Sequence, residues 1–443
     1  MSTTKFRRTT VIAVVIANMI GTGVFTSLGF QLLDIQSGFV ILMLWTVGGV
    51  IAVCGALTYA ELGAALPRSG GEYNFLARIY HPAAGFVSGW VSATIGFAGP
   101  TALAAITFAA YGTSALFSSA PEWLEKALAV GLVLLLTVIH GGSRRNSGGL
   151  QVFFTVLKVG VIVGFCFAAL ILADADQPVR FVPATGDAAL ISSGAFAVSL
   201  IYVSYAYTGW NVATYLSSEL DDPQRTLPGI LLTGTLVVTI LYVALNFVFL
   251  SVAPVEDMAG QVEVGFIAAK SAFGELGGNL TGLTMSLLLV STVSAMIIAG
   301  PRVLQVIGED FKALGFLAKR NDDNIPTRAI YFQSTLTIFF ILTSSFESIL
   351  VFAGFTLALN SLATVLGVFV LRFRQPELHR PYRTFLYPIT PLIYLALTGW
   401  TLVFVLINRP TEGLFGLGVI AMGLVFYFLS EKWSGQRTVS EPG

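Results

Sequence analysis

Apolar runs of about 20 residues and more recur from end to end of this chain, and each is long enough to cross a bilayer as a helix. In lipid the backbone finds no water, so only helices and closed barrels satisfy its N–H and C=O groups. Barrel strands would alternate apolar and polar residues over about ten positions, and these runs do not alternate. Composition agrees: 55% of the 443 residues are apolar and 11% are charged, with a mean hydropathy of +0.81, against about 25% charge in a soluble domain. The expected fold is an all-α polytopic membrane protein.

Breaks at polar and Pro/Gly-rich positions divide the chain into about twelve apolar segments, roughly 10–34, 39–66, 83–117, 125–140, 150–173, 191–220, 229–254, 279–309, 327–343, 347–373, 385–407 and 412–430. An even number of spans puts both termini on one side. With that side taken as cytoplasmic, only Lys126, Arg180, Lys270 and Arg409 of the 24 basic residues fall outside, and Lys158 lies within a span. The positive-inside rule therefore sets the orientation and supports the segment count. The stretch Val11–Leu33 after Lys5, Arg7 and Arg8 is too long for a secretory h-region and reads as a retained span. The largest polar stretches are Lys312–Pro326 inside and an external loop near Glu256–Gly278. Cys54 and Cys166 sit in apolar runs and imply no disulfide framework. His81, His140 and His379 lack ligand-like spacing, so no metal site and no prosthetic group is expected.

Two spans carry interruptions. In the first, Gly21-Thr22-Gly23 follows Asn18-Met19-Ile20 in mid-membrane, and glycine costs up to about 1 kcal/mol against alanine in a helix. Taken alone, this suits close helix packing equally well. The sixth carries Tyr205-Ala206-Tyr207-Thr208-Gly209-Trp210-Asn211 at a comparable depth. Paired interruptions at matching positions of two halves point to an inverted-repeat transporter with its site at the breaks. An unwound stretch frees carbonyls for an ammonium group, and the half-helix beyond it offers N–H groups and a positive dipole end to a carboxylate. Two such breaks suit a zwitterion, which points to α-amino acids before sugars, ions or nucleotides.

At these residues the chain resembles the amino acid–polyamine–organocation (APC) transporter superfamily, and within it the L-type amino acid transporter-like branch. The likeness rests on Gly21-Thr22-Gly23-Val24-Phe25, on Tyr59-Ala60-Glu61-Leu62 with Pro67-Arg68-Ser69-Gly70-Gly71-Glu72-Tyr73, on Tyr205–Asn211 with Glu219-Leu220-Asp221-Asp222-Pro223 and Arg225, and on Gly300-Pro301-Arg302 and Arg380-Pro381-Tyr382. It covers nearly the whole chain. It implies a leucine-transporter-like fold of twelve transmembrane helices: one transporter domain over 1–443, with repeat one at about 10–173, repeat two at about 191–373 and extra helices at about 385–430. Helices 1 and 6 would be unwound mid-membrane. By position, it implies a substrate site at Met19, Ile20, Gly21, Thr22, Gly23, Tyr205, Ala206, Tyr207 and Thr208. Carbonyls of Met19, Tyr205 and Thr208 would hold the ammonium. The N–H groups of Thr22 and Gly23, with the Thr22 hydroxyl, would hold the carboxylate. Tyr205 would be an aromatic gate, against the plainer reading of a packed ring beside the pocket.

Lys158 stands in the apolar run Val152–Leu172 with no acidic residue in that span. An ionisable group at membrane depth is expensive and marks a functional position, although snorkelling towards Arg144 and Arg145 is an alternative. Some members of the resembled family carry a lysine where sodium sits in sodium-coupled relatives. On that likeness Lys158 would bond carbonyls of the first break, substitute for sodium, and either release its proton during the cycle or stay charged as a tether in an exchanger. Ser291-Thr292 would border the same place.

Glu61, Glu72, Glu219 and Arg302 fall near the cytoplasmic face and read as ion pairs closing the inward gate. No acidic side chain lies in mid-membrane near either break, which favours substrates with neutral side chains over arginine or a polyamine. Animal members of the family tether a partner glycoprotein through a cysteine in the loop after the third span. Ser118–Trp123 has none, so no disulfide-linked ancillary subunit is expected. Nothing in the charge pattern suggests nucleic acid as a partner. The expected function is secondary transport of neutral L-amino acids across a bacterial-type inner membrane, with lipid as solvent, protons or a second amino acid as driver, and no sodium. An amine or ethanolamine permease of the same fold is the alternative. A channel would need no aromatic gate, and a membrane-embedded enzyme would need clustered His, Asp or Cys, which the sequence lacks.

Overall fold

A computed structural model describes residues 8–68, 70–117, 120–142, 148–173, 177–220, 222–311, 314–321 and 325–435. Lys5, Arg7, Ser69, Ser118, Arg144, Arg145, Asp221, Lys312 and the Glu219 side chain lie outside the described residues. Among the described residues the regular structure is helical, in the order α1 (Arg8–Met19), α2 (Gly23–Gln31), α3 (Gly38–Ala65), α4 (Gly71–Ile79), α5 (Pro82–Val91), α6 (Ala98–Leu116), α7 (Glu122–Gly142), α8 (Gly148–Leu172), α9 (Asp187–Ile191), α10 (Gly194–Ala206), α11 (Pro223–Val252), α12 (Val255–Met258), α13 (Val264–Asp310), α14 (Thr327–Thr343), α15 (Phe346–Arg374), α16 (Ile389–Asn408) and α17 (Pro410–Gly435). A π-helical turn, Ser92–Gly96, joins α5 to α6, and a 3-10 helix, Val212–Glu219, follows α10.

Nine of the described helical stretches are long and apolar enough to cross a bilayer, with Val156–Leu172 and Gly194–Ala206 as shorter apolar helices. The remaining expected segment, 327–343, is α14, whose Gln333, Ser334 and Thr337 are buried. The outer surface carries exposed Val138, Phe167, Ile171, Ile240, Leu287 and Ile407, an apolar exterior that water would penalise and lipid does not. The chain is a multi-pass membrane protein. One expectation is corrected here. The stretch near Glu256–Gly278, expected as an external loop, is largely helical: α12 and the start of α13 fill it, and the chain turns at Gly274 (φ 75, ψ −175) before α13 continues.

Local chemistry starts the helices. Ser37, Ser193 and Ser345 each accept a bond from an N–H three residues on, at the heads of α3, α10 and α15, meeting one of the orphan donors there. Many Ser and Thr hydroxyls inside the helices bond back to the carbonyl four residues earlier, as Thr58, Thr107, Thr235 and Thr356 do, which hides them from the apolar surroundings.

The helices bury two apolar cores. One gathers α1, α2, α3, α11 and neighbours around Trp45, Tyr242 and Phe249; the other gathers α6, α7, α13, α14 and α15 around Leu103, Val293 and Phe352. The end of α10 straddles them: Tyr205 packs in the second core, whereas Ala206 and Tyr207 pack in the first with Met19 and Ile20. The two interruptions expected from the sequence lie at this seam.

Candidate functional site

α1 stops at Met19 and α2 starts at Gly23. Between them the Ile20 N–H still bonds Ile16 O (3.0 Å), but the Gly21 N–H turns to Met19 O (2.8 Å). The N–H groups of Thr22 and Gly23 then head α2, where the first donors of a helix have no intrahelical acceptor. α10 stops at Ala206; the Thr208 N–H and Oγ1 both fold back onto Tyr205 O (2.9 and 2.6 Å), and Gly209 takes φ +99.

The two interruptions touch. A methyl group at Gly23 would lie 2.6 Å from Ala206 Cα, and one at Gly209 would lie 2.4 Å from Asn18 Nδ2. The Tyr205 phenol faces the Thr22 side chain, and Asn18 Nδ2 reaches Gly209 O at 3.4 Å. Tyr242 of α11 ties both interruptions together: its hydroxyl shares one proton between Met19 O (2.6 Å) and Ala206 O (3.1 Å). Trp45 and Tyr207 pack against the Tyr242 ring. Tyr242 was not among the residues expected from the sequence. A signal for it exists: Thr235, Thr239, Tyr242 and Asn246 form a stripe at helical spacing in an otherwise apolar span.

A cleft with about 430 Å³ of empty space, its open mouth included, lies between α3, the end of α10, α15 and α16. Tyr207, Thr208 and Trp210 line it, with Ser361, Tyr394 and Thr398. Met19, Ile20, Gly21, Thr22 and Gly23 do not line this cleft; they meet the second interruption from its other side. Of the carbonyls assigned to an ammonium group, Met19 O already accepts from Tyr242, and Tyr205 O already accepts twice from Thr208. A carbonyl has two lone pairs, and with the Gly21 N–H also on Met19 O each of these two carbonyls already has two donors in this state. Tyr205 is buried at 5% exposure, faces Thr22 and stacks on no other ring among the described residues.

Thr22→Val removes the hydroxyl that faces Tyr205 and leaves the backbone N–H groups in place. One net hydrogen bond is worth about 1 kcal/mol, so substrate KM is expected to rise roughly fivefold with modest change in maximal rate, as measured by uptake against substrate concentration.

Lys158 on α8 is half-buried, and its Nζ donates to Thr292 Oγ1 on α13 at 2.6 Å. The expected border with Ser291-Thr292 is therefore present through Thr292. The expected bond to the first interruption is not the one the structure gives. Met19 O is engaged by Tyr242, and α8 meets α13 more closely than α1.

The expected ring of ion pairs also changes. Glu61 is paired: Arg372 Nε and Nη2 hold it at 2.8 and 2.7 Å, Arg380 Nε lies 3.5 Å away, and the Thr384 N–H and hydroxyl add bonds at 2.7 Å. Glu72 has no cation among the described residues. It is held by Tyr59, Asn211, Asn360 and Ser361, all neutral. Arg302 is exposed and joins no ion pair among the described residues. An unexpected cluster links α10, the start of α15 and the residue before α17: Glu347 joins the Tyr202 hydroxyl (2.7 Å) to Arg409.

Residues 6–427 match the family model described as amino acid permease. The chain belongs to the amino acid permease family. It is 30% identical to the human large neutral amino acids transporter small subunit 2 over 440 residues, which is 95% of this chain and 79% of the relative. It is 29% identical to the mouse Asc-type amino acid transporter 1 over 443 residues (95% and 80%) and 26% identical to the mouse b(0,+)-type amino acid transporter 1 over 444 (97% and 89%). The likeness to the APC superfamily and its L-type branch holds, and the family and these relatives are transporters and not enzymes.

Proposed function

We propose that this family member moves neutral L-amino acids across a cytoplasmic membrane by alternating access. Twelve spans would be arranged as a five-plus-five inverted repeat with two added helices and both termini inside. The observation that carries the reading is the meeting of two helix interruptions at Gly23 and Ala206. There the N–H groups heading α2 and the carbonyls ending α10 present opposite partial charges over a short distance, which suits the two ends of a zwitterion. The described residues around them, Tyr205, Tyr207 and Thr22, are neutral, and the names of two relatives specify neutral side chains or Asc-type transport. Glu72, the nearest carboxyl below the cleft, is engaged by four neutral donors and so is not presented to a cationic substrate.

Transport would be sodium-independent, by proton coupling or exchange, with the Lys158 ammonium as the fixed cation of that region. Labelled amino acid uptake into proteoliposomes, with and without sodium, a pH gradient or internal amino acid, tests the whole reading. Saturable uptake or exchange of neutral amino acids, unchanged by sodium, is the expected result; no saturable amino acid flux under any condition defeats it. Lys158→Ala is expected to remove most transport while the protein stays monodisperse. Wild-type flux in that variant would reduce Lys158 to a snorkelling side chain.

A further inference from the structure

We propose that Glu72 is a proton-binding site of the transport cycle: its carboxyl is protonated from the cleft beside the second interruption while the inner end is closed and gives that proton to the cytoplasm when the inner end opens. This rests on the transport function proposed above and specifies its driving ion.

The backbone puts Glu72 in place. Gly70 and Gly71 take φ +123 and +51, a region that disfavours side chains, and they turn the chain so that Glu72 enters the first turn of α4. A methyl at Gly71 would meet the Tyr215 ring at 2.6 Å, so the turn is pressed against the segment that follows the second interruption. Glu72 is 4% exposed. Its Oε1 accepts from Tyr59 Oη of α3, from Asn211 Nδ2 (3.2 Å) and from Ser361 Oγ of α15 (2.8 Å), and its Oε2 accepts from Asn360 Nδ2 of α15. Asn360 Nδ2 also reaches Ser88 Oγ of α5 at 3.1 Å. One carboxyl thus joins α3, α4, α15 and the stretch after α10, the parts that must separate if the inner end is to open.

Two properties of this cluster suit a proton carrier. First, it contains no compensating cation. The groups facing Glu72 are Tyr59 on α3, Asn211 and Tyr215 after α10, Asn360 and Ser361 on α15, and Tyr394 on α16. None is a lysine, arginine, histidine or second carboxyl among the described residues. Glu61 on the same α3 has two arginines. A buried carboxylate without a cation is costly, and protonation removes that cost. Opening to water restores solvation and lets the proton go, so closure and proton binding favour one another. Second, the four partners accept either form. Two are amides, which donate regardless. Two are hydroxyls, which both donate and accept. When Glu72 is ionised, both hydroxyls donate to it. When it is protonated, the carboxyl O–H donates to one of them, and that hydroxyl turns its own proton elsewhere.

The path is present at the upper end. Ser361 and Tyr394 line the cleft, and the Ser361 hydroxyl bonds Glu72 directly. Trp210, also in the cleft wall, packs edge-on against Tyr59 with ring centroids 4.6 Å apart. The cleft is therefore separated from the Glu72 carboxyl by one hydroxyl, that of Ser361.

Glu72→Gln keeps the side chain's shape and its uncharged state but cannot cycle a proton. In proteoliposomes with an inward pH gradient, amino acid accumulation by the variant should fall roughly tenfold or more, a size usual for coupling between two ligands. The substrate-dependent internal acidification read by a trapped pH dye should vanish, and amino acid counterflow at equal pH should continue. If Glu72→Gln is not monodisperse, the double variant Tyr59→Phe/Ser361→Ala removes both hydroxyls that can take up the proton; gradient-driven accumulation should fall in the same way. Wild-type accumulation and acidification in either folded variant would overturn the proposal. So would exchange by the unmodified protein with no proton flux, which leaves amino acid transport standing. No saturable amino acid flux at all would instead remove the transport reading itself.

Discussion

Gly23→Ala is expected to abolish amino acid uptake, whereas Gly21→Ala two residues away should leave most of it. The two glycines look equivalent in Gly21-Thr22-Gly23. They differ in what a methyl group would meet. At Gly23 it would lie 2.6 Å from Ala206 Cα, 2.7 Å from Ala206 Cβ and 3.3 Å from Ala206 N. These are backbone and near-backbone atoms of the opposite interruption, with no flexible end to swing aside. Accommodating the methyl means moving α2 away from the end of α10 by several tenths of an ångström or more. That shift would separate Thr22 from Tyr205 and pull the Tyr242 hydroxyl away from one of its two carbonyls, Met19 O or Ala206 O. Groups that act by position lose on the order of 10²-fold for a misplacement of about 1 Å, so uptake should drop by about that factor. At Gly21 the nearest atom to a methyl is Met19 O at 4.0 Å, an ordinary contact. Initial uptake rates, normalised to reconstituted protein, check the pair. Equal effects of the two substitutions would mean that the interruptions do not need their close approach.

That contrast marks how far the residues could be read without coordinates. The two interruptions were legible because glycine and clustered polar groups are conspicuous in an apolar span. So was the membrane class, which follows from run length alone. Tyr242 was not, since a single tyrosine in the run 229–254 is ordinary until α11 is known to pass both interruptions. Glu61 and Glu72 looked alike for the same reason. Each is a carboxylate in a polar motif near one end of the bundle, and the arginines that separate them stand 311 and more residues further along the chain. Lys158 was conspicuous by its charge, but its partner was a choice between neighbouring helices that only packing resolves, and packing puts it on Thr292.

Glu61→Ala should cost far more stability than its place at a helix end suggests. Glu61 is buried, and its carboxylate accepts from Arg372 and Thr384 and forms an ion pair with Arg380. It thereby fastens the end of α3 to the end of α15 and to the segment leading into α16. Arg372 has a second support, its guanidinium lying 3.6 Å over the Tyr387 ring, and its side chain is 24% exposed. The Arg380 side chain is 7% exposed, and its Nη groups bond the carbonyls of Leu371, Gln375, Pro376 and Leu378. Removing Glu61 leaves that guanidinium with carbonyl dipoles but no opposing charge. Breaking a buried pair by deleting one partner typically costs about 3–5 kcal/mol, so thermal unfolding of the detergent-solubilised protein should move to markedly lower temperature. Glu61→Gln retains an acceptor for Arg372 and the shape of the side chain, so it should lose less. The order wild type, Glu61→Gln, Glu61→Ala in melting temperature separates the charge from the packing. An alanine variant as stable as the glutamine one would show that the arginines find other partners and that the link between α3 and α15 does not depend on Glu61.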